Sequence, residues 1–137
     1  MKVYFDTDII LDVATAREPF CFPASQLLAL AETQEIEGFT SATIFINVFY
    51  ILKKLIGREK AILFLQDLEK ILTVLPTSKE IVHSALYSDF TDFEDATQHF
   101  TALQIPVDYI ITRNLSDYSL SKIPVKTPSE FLEVFGK

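Results

Sequence analysis

Short apolar runs alternate with longer amphipathic stretches along this chain, and that alternation sets the first expectation. Strand signals fall at residues 3–5, 38–40, 72–75, 109–112 and 125–127. Between them the period lengthens to that of a helix. Residues 23–35 put Leu27, Leu28 and Ala31 on one side, and residues 59–70 repeat apolar positions at Ala61, Phe64, Leu65 and Leu68. Residues 79–88 do the same at Ile81, Val82, Ala85 and Leu86. Pro23 and Pro128 fit first helical turns, while Thr77, Ser78 and Ser129 offer capping hydroxyls. The run "ATIFINVFYIL" at 42–52 is apolar nearly all round, with Asn47 in its middle. It is shorter than the roughly 20 apolar residues a membrane span needs, so it predicts a buried core helix. Short apolar strands alternating with helices predict an α/β fold with a mainly parallel sheet. In such sheets the functional crevice lies off the carboxyl ends of the strands, at a topological switch point.

The 137 residues hold no repeat, low-complexity stretch or flexible linker, which predicts a single domain over 1–137. Hydrophobic residues make up 49% of the chain and only 3 residues are glycine, as a packed fold requires. One cysteine, Cys21, excludes an intrachain disulfide and a cysteine-cluster zinc site. Asp6 and Asp8 interrupt the first apolar segment, so no secretory leader and no membrane partner are expected, and the cytoplasm is the expected compartment. A net charge of −7 argues against a general nucleic-acid binder held by phosphate contacts. It leaves room for a nuclease, because cations bound at clustered acids offset local repulsion. The basic exception, "KKLIGREK" at 53–60, reads as a solvated helix end and turn around Gly57.

The acids carry the chemistry. Asp6 falls at the carboxyl end of the first strand, where an unpaired carboxylate is costly to bury. Asp8 stands where the next helix would start, a preferred N-cap position, and Asp12, one turn on, reads as ordinary helix surface. A second cluster lies in "SDFTDFEDATQHFTAL", residues 88–103. On a helical projection Phe93, Ala96, Phe100 and Leu103 form the expected buried stripe, with Glu94, Gln98 and Thr101 facing away. Asp92, Asp95 and His99 then run along its edge, which puts Asp95 at the seam between core and solvent. Helix-dipole chemistry suffices for Asp92 and Glu94, and His99 reads as an edge histidine. The third element is "VDYIITRNLSDY", residues 107–118: Thr112, Arg113 and Asn114 leave a strand end, and Asp117 follows in the loop.

Two strand ends and one helix seam can bring carboxylates to one place. Like charges brought together raise one another's pKa unless a cation sits among them. Oxygen donors without a His/Cys set select a hard ion, Mg²⁺ or Mn²⁺. Such an ion can activate water and neutralise charge on a phosphodiester. No serine–histidine or cysteine–histidine pairing and no glycine-rich phosphate loop competes. Metal-assisted phosphoryl chemistry is the reading from residues alone.

"VYFDTDIILDV", "TSATIFINVFYIL", "DFEDATQHF" and "VDYIITRNLSDY" together resemble the PIN domain in order, spacing and strand context, over nearly the whole chain. The closing "IPVKTPSEFLEVF" is similar to the end of PIN domains from bacterial toxin–antitoxin loci, VapC-like toxins in particular. The resemblance implies a three-layer α/β/α sandwich and a Mg²⁺- or Mn²⁺-dependent endoribonuclease. By motif position Asp6, Asp95 and Asp117 would hold the metal and activate the attacking water, with Thr112 and Asn114 in support. It also implies a homodimer, an RNA substrate and a small antitoxin that inserts into the active-site groove. One position departs: Asn47 stands where many PIN domains carry glutamate, on a polar strip with Thr43, Tyr50 and Lys54. It is expected to line the cleft, but an amide brings no charge. That change points to one ion rather than two, to weaker catalysis, or to help from Asp8 or Asp92. Two alternatives follow. One is a catalytically weakened PIN-like module that binds RNA or protein. The other is a haloacid-dehalogenase-type phosphatase built on the Asp6–Asp8 pair, which lacks a lysine at a clear strand end.

Overall fold

The computed structural model describes residues 1–136. Five strands, β1 (Lys2–Phe5), β2 (Glu37–Ser41), β3 (Thr73–Leu75), β4 (Tyr109–Ile111) and β5 (Val125–Lys126), form one sheet in the order β3-β2-β1-β4-β5. Every pairing is parallel. Seven helices connect and cover them: α1 (Thr7–Ala14), α2 (Cys21–Glu32), α3 (Ala42–Ile56), α4 (Arg58–Ile71), α5 (Lys79–Leu86), α6 (Phe93–Ala102) and α7 (Pro128–Phe135).

The pleat of β1 sorts the layers, because successive side chains point to opposite faces. Tyr4 sends its hydroxyl to Gln98 of α6, which packs beside α5. On the other face, a Cβ added to Gly38 would strike Leu72, Ala31 of α2 and Phe5, so the missing side chain lets α2 approach the sheet closely. Tyr109, in register with Val3, meets Phe131 of α7 edge-on at 5.8 Å on that same face. The fold is therefore a three-layer α/β/α sandwich, as expected, and its sheet is parallel throughout. β1 lies at the centre. The chain builds outward on one side through β2 and β3, then crosses to β4 and β5 on the other. The switch point falls between β1 and β4, and Asp6 and Thr112 follow directly from those two strands.

Local chemistry sets the helix starts. Ser41, Ser78 and Asp92 each cap a helix by accepting the N–H of the residue three positions on. α7 opens with a reciprocal capping box between Thr127 and Glu130 around Pro128 at the first position, so Thr127 rather than Ser129 is its cap. Gly57, at φ +88°, closes α3 and opens α4 within the exposed basic turn.

Three faces differ from the periodicity reading. In α3 only Ile44, Val48 and Leu52 are buried, whereas Ile46, Tyr50 and Leu55 stand 55%, 58% and 61% exposed. The helix is half covered rather than a core helix, because it packs mainly against α4, with α1 and β2 covering the rest of its buried face. In α5, Ile81 and Ala85 are buried but Val82 and Leu86 are exposed. The largest difference is α6, where Gln98, Thr101 and His99 are buried and Phe93 is half exposed. The apolar stripe lost because its competitor is satisfied. The Gln98 carboxamide oxygen accepts from the hydroxyls of Tyr4 and Ser41, and its amide donates to Thr43 Oγ1 at 2.9 Å. Among the described residues no helix is long and apolar enough to cross a membrane.

Candidate active site

Asp6 ends β1 and caps α1: its Oδ1 accepts the Thr7 N–H at 2.8 Å. The cap expected at Asp8 thus lies two residues earlier, at Asp6. Thr112, fully buried at the end of β4, donates its hydroxyl to Asp6 Oδ2 at 3.0 Å. Asp8, in the first turn of α1, holds the departing chain of β4. Its Oδ2 accepts the Arg113 N–H at 2.9 Å and stands 3.4 Å from Asn114 Nδ2. Its other oxygen, Oδ1, is buried with no hydrogen-bond partner among the described residues.

Asp12 was expected on the helix surface and instead is completely buried. Arg113 reaches over it with Nε 2.6 Å from Oδ2 and a second nitrogen 3.2 Å from Oδ1, a fork that matches a carboxylate. The guanidinium also lies 4.0 Å over the Phe20 ring. Asp8 and Asp12 are one turn apart on α1, so one helix face grips Arg113 by its backbone and by its side chain. That double grip aims the segment from Thr112 to Asp117 at the strand ends.

A cleft of about 290 Å³ opens there, lined by Asp6, Asp8, Asp92, Glu94, Asp95 and Asp117, with Asn114 at its side. The structure brings the three principal acids together with both acidic auxiliaries. Thr112 sits behind them as a support. Glu94 was expected to face away and instead lines the cleft, because α6 is rotated by its Gln98 anchor. Asn47 does not line it. Its Nδ2 donates to Glu94 Oε1 at 3.0 Å, and it belongs to a neighbouring pocket between α3 and α6. A carboxylate therefore stands beside the position where the expected acid is missing. His99, expected at an edge, is buried between Phe90 and Phe100 and accepts the Lys122 N–H at Nε2.

Electrostatics records the crowding. Burial, then the charge of Asp8, raises the Asp6 pKa to about 7. Burial raises Asp95 to about 7 as well, followed by the charges of Asp6, Asp92, Asp117 and Glu94. Burial also raises Asp8, opposed by the Arg113 N–H and charge. Tyr118, whose buried hydroxyl faces this group, is pushed far up by burial and by Asp6 and Asp95. This arrangement would suit a hard cation: all donors are oxygen, one buried carboxylate oxygen is unpartnered, and burial with neighbouring negative charge raises the proton affinity of two acids. Among the described residues no three of these side chains already close on one point, so the acids line the cleft rather than form a finished ligand shell.

Comparison with known proteins agrees with this geometry. The family model described as PIN domain matches residues 2–116, and the chain belongs to the PIN domain family. Ribonuclease VapC1 of Aquifex aeolicus (strain VF5) is 28% identical over 137 residues, covering 96% of this chain and 94% of that protein. Among solved structures, a toxin–antitoxin complex from Klebsiella pneumoniae is similar at 24% identity and TM-score 0.68, covering 92% of this chain and 97% of that one. VapBC2 from Rickettsia felis, bound to a DNA fragment from its promoter, is similar at 12% identity and TM-score 0.70, covering 93% and 98%. The Mycobacterium tuberculosis toxin VapC20, which cleaves the sarcin–ricin loop, gives 16% identity and TM-score 0.65 over 79% and 86%. At these identities the structures speak for the fold. The resemblance to VapC-like proteins holds in sequence and in architecture.

Two predictions follow from the geometry. Arg113→Leu leaves the buried Asp12 carboxylate with only the longer 3.8 Å contact to Arg17 and should cost roughly 1–3 kcal/mol in urea unfolding, below a wholly buried pair because Arg113 is partly solvated and Arg17 remains. Unchanged stability would contradict the clamp. Separately, the folded, metal-free chain keeps protons on Asp6 and Asp95 up to about pH 7, where an unfolded chain has released them near pH 4. These two groups therefore make stability fall as pH rises from 4 to 7. Asp95→Asn should raise the thermal midpoint of the metal-free protein at pH 8 by about 3–6 °C, with a smaller gain at pH 5. A midpoint that drops at pH 8 would contradict the crowding.

Proposed function

We propose that this chain is a Mg²⁺- or Mn²⁺-dependent endoribonuclease that acts as the toxin of a toxin–antitoxin pair. The observation that carries the reading is the acidic cleft at the switch point between β1 and β4, in a PIN domain whose curated relative is a ribonuclease. Asp6, Asp95 and Asp117 would hold the metal, which supplies charge neutralisation at the phosphodiester and a more acidic attacking water. The chain's own groups do the rest. Thr112 fixes the Asp6 carboxylate by its hydroxyl, and the Asp8–Arg113 contacts hold Asn114 and Asp117 at the mouth. Asp95, only partly buried on the cleft wall, would orient the attacking water beside the ion. Glu94, held by Asn47, adds a carboxylate next to the position that lacks one. This offsets the argument from Asn47 for a weakened binding module.

A protein partner fits the uncovered surface. Ile46, Tyr50 and Leu55 of α3 and Leu63 of α4 are each more than half exposed, a patch suited to burial by an antitoxin or a second copy. The toxin–antitoxin complexes among the structural neighbours support the antitoxin. A homodimer and a cytoplasmic setting go with the same reading.

Asp6→Asn should fold normally by circular dichroism and lose about 10²–10⁴-fold of RNA cleavage measured with Mn²⁺ on single-stranded RNA. RNA left intact by the native chain at every Mg²⁺ and Mn²⁺ concentration would overturn the nuclease assignment. So would full activity of the variant.

A further inference from the structure

We propose that the pocket between α3 and α6 receives one nucleobase of the RNA strand that lies in the acidic cleft, and that guanine is the base it fits best. The inference rests on the nuclease reading for the strand itself and adds the part of the substrate that is recognised.

The pocket has a volume of about 260 Å³, below the roughly 300–1,000 Å³ of a site for a whole drug-sized ligand. It is lined by Thr43, Asn47, Phe93, Glu94, Thr97 and Gln98. Glu94 is also a wall of the acidic cleft, so the two cavities are adjoining compartments of one surface. A phosphodiester at the carboxylates would leave a flanking base at this opening. Phe93 offers a ring that is half exposed on an otherwise polar helix start, an arrangement with no packing purpose in the isolated chain. Exposed aromatic rings beside a strand-binding groove stack bases.

The polar groups decide which base. Most of the lining is already committed: Thr97 donates to the Phe93 carbonyl, and Thr43 is engaged by Gln98 and Ser41. Asn47 spends its amide on Glu94 Oε1. What remains is Asn47 Oδ1 and Glu94 Oε2, neither with a partner among the described residues, and both are acceptors. The wall therefore asks for adjacent donors. Guanine presents N1–H and the N2 amine side by side, two donors for the two acceptors that Asn47 Oδ1 and Glu94 Oε2 leave open. Adenine and cytosine each offer one amine next to an acceptor. Uracil sets its single N3–H between two carbonyls, which the two acceptors repel. The expected order is guanine, then adenine and cytosine, then uracil.

The test is equilibrium binding by fluorescence anisotropy, using the Asp6→Asn chain with Mg²⁺ so that RNA is not consumed. The probes are uridine oligoribonucleotides with one central guanosine, inosine or uridine. The guanosine probe should bind about 10-fold tighter than the all-uridine probe, with inosine, which lacks the N2 amine, between them. Phe93→Ala in the same background should weaken every probe by about 5-fold or more, the lower end of a lost stacking contact. Glu94→Gln should abolish the guanosine preference. Equal binding of guanosine and uridine probes, or a preference untouched by both variants, overturns the inference. The two readings fail separately. Native chain that cuts RNA without base preference removes the pocket and leaves the nuclease. Guanosine-selective binding without cleavage in any metal removes the nuclease and leaves the pocket.

Discussion

Six carboxylates around one cleft, in a chain of net charge −7, are the constraint to which the rest of the molecule answers. Burial and mutual repulsion both favour protonation, and two of the acids bind protons up to about pH 7 as a result. Such a site does not stabilise a fold. It has to be held open by structure around it, and the surrounding contacts are organised to do that.

The restraints come from three directions. The cap of α1 and the Thr112 hydroxyl fix Asp6 at the end of β1. The Asp8 and Asp12 grip on Arg113 fixes the chain leaving β4, with the Arg113 guanidinium directed to the buried Asp12 carboxylate. Gln98 fixes α6 by three hydroxyls, so the helix presents Asp95 and Glu94 to the opening while Phe93 stays outside. Each restraint is a set of specific hydrogen bonds between polar groups. Among the described residues, Asp6, Asp92, Glu94, Asp95 and Asp117 have no ion-pair partner, an arrangement that would suit a bound cation.

Much of this was legible in the sequence. The five strands and the acids at their carboxyl ends could be read because parallel strands are continuous apolar runs and strand ends are where α/β sheets carry chemistry. The face of α6 could not. Periodicity assigns apolar residues inward, and only the tertiary arrangement brings Tyr4, Ser41 and Thr43 to satisfy Gln98. Glu94 was misplaced by the same error of rotation. Asp12 was misread because its partner, Arg113, is 101 residues away in sequence. Its spacing from Asp8 by one helical turn was the available signal, since an acid pair on one face can grip a strand-end arginine. The exposed side of α3 was hidden for a different reason: an apolar surface awaiting a partner has the composition of a core.

The central claim is that a divalent cation, and not a protein group, resolves the charge of the cleft. Calorimetric titration of the native chain with Mn²⁺ at pH 7, repeated in buffers of different ionisation enthalpy, tests it directly. The account predicts saturable binding accompanied by proton release, because Asp6 and Asp95 are partly protonated at that pH and must give up protons to bind the ion. No binding at millimolar Mn²⁺, or binding with no buffer dependence, would contradict it.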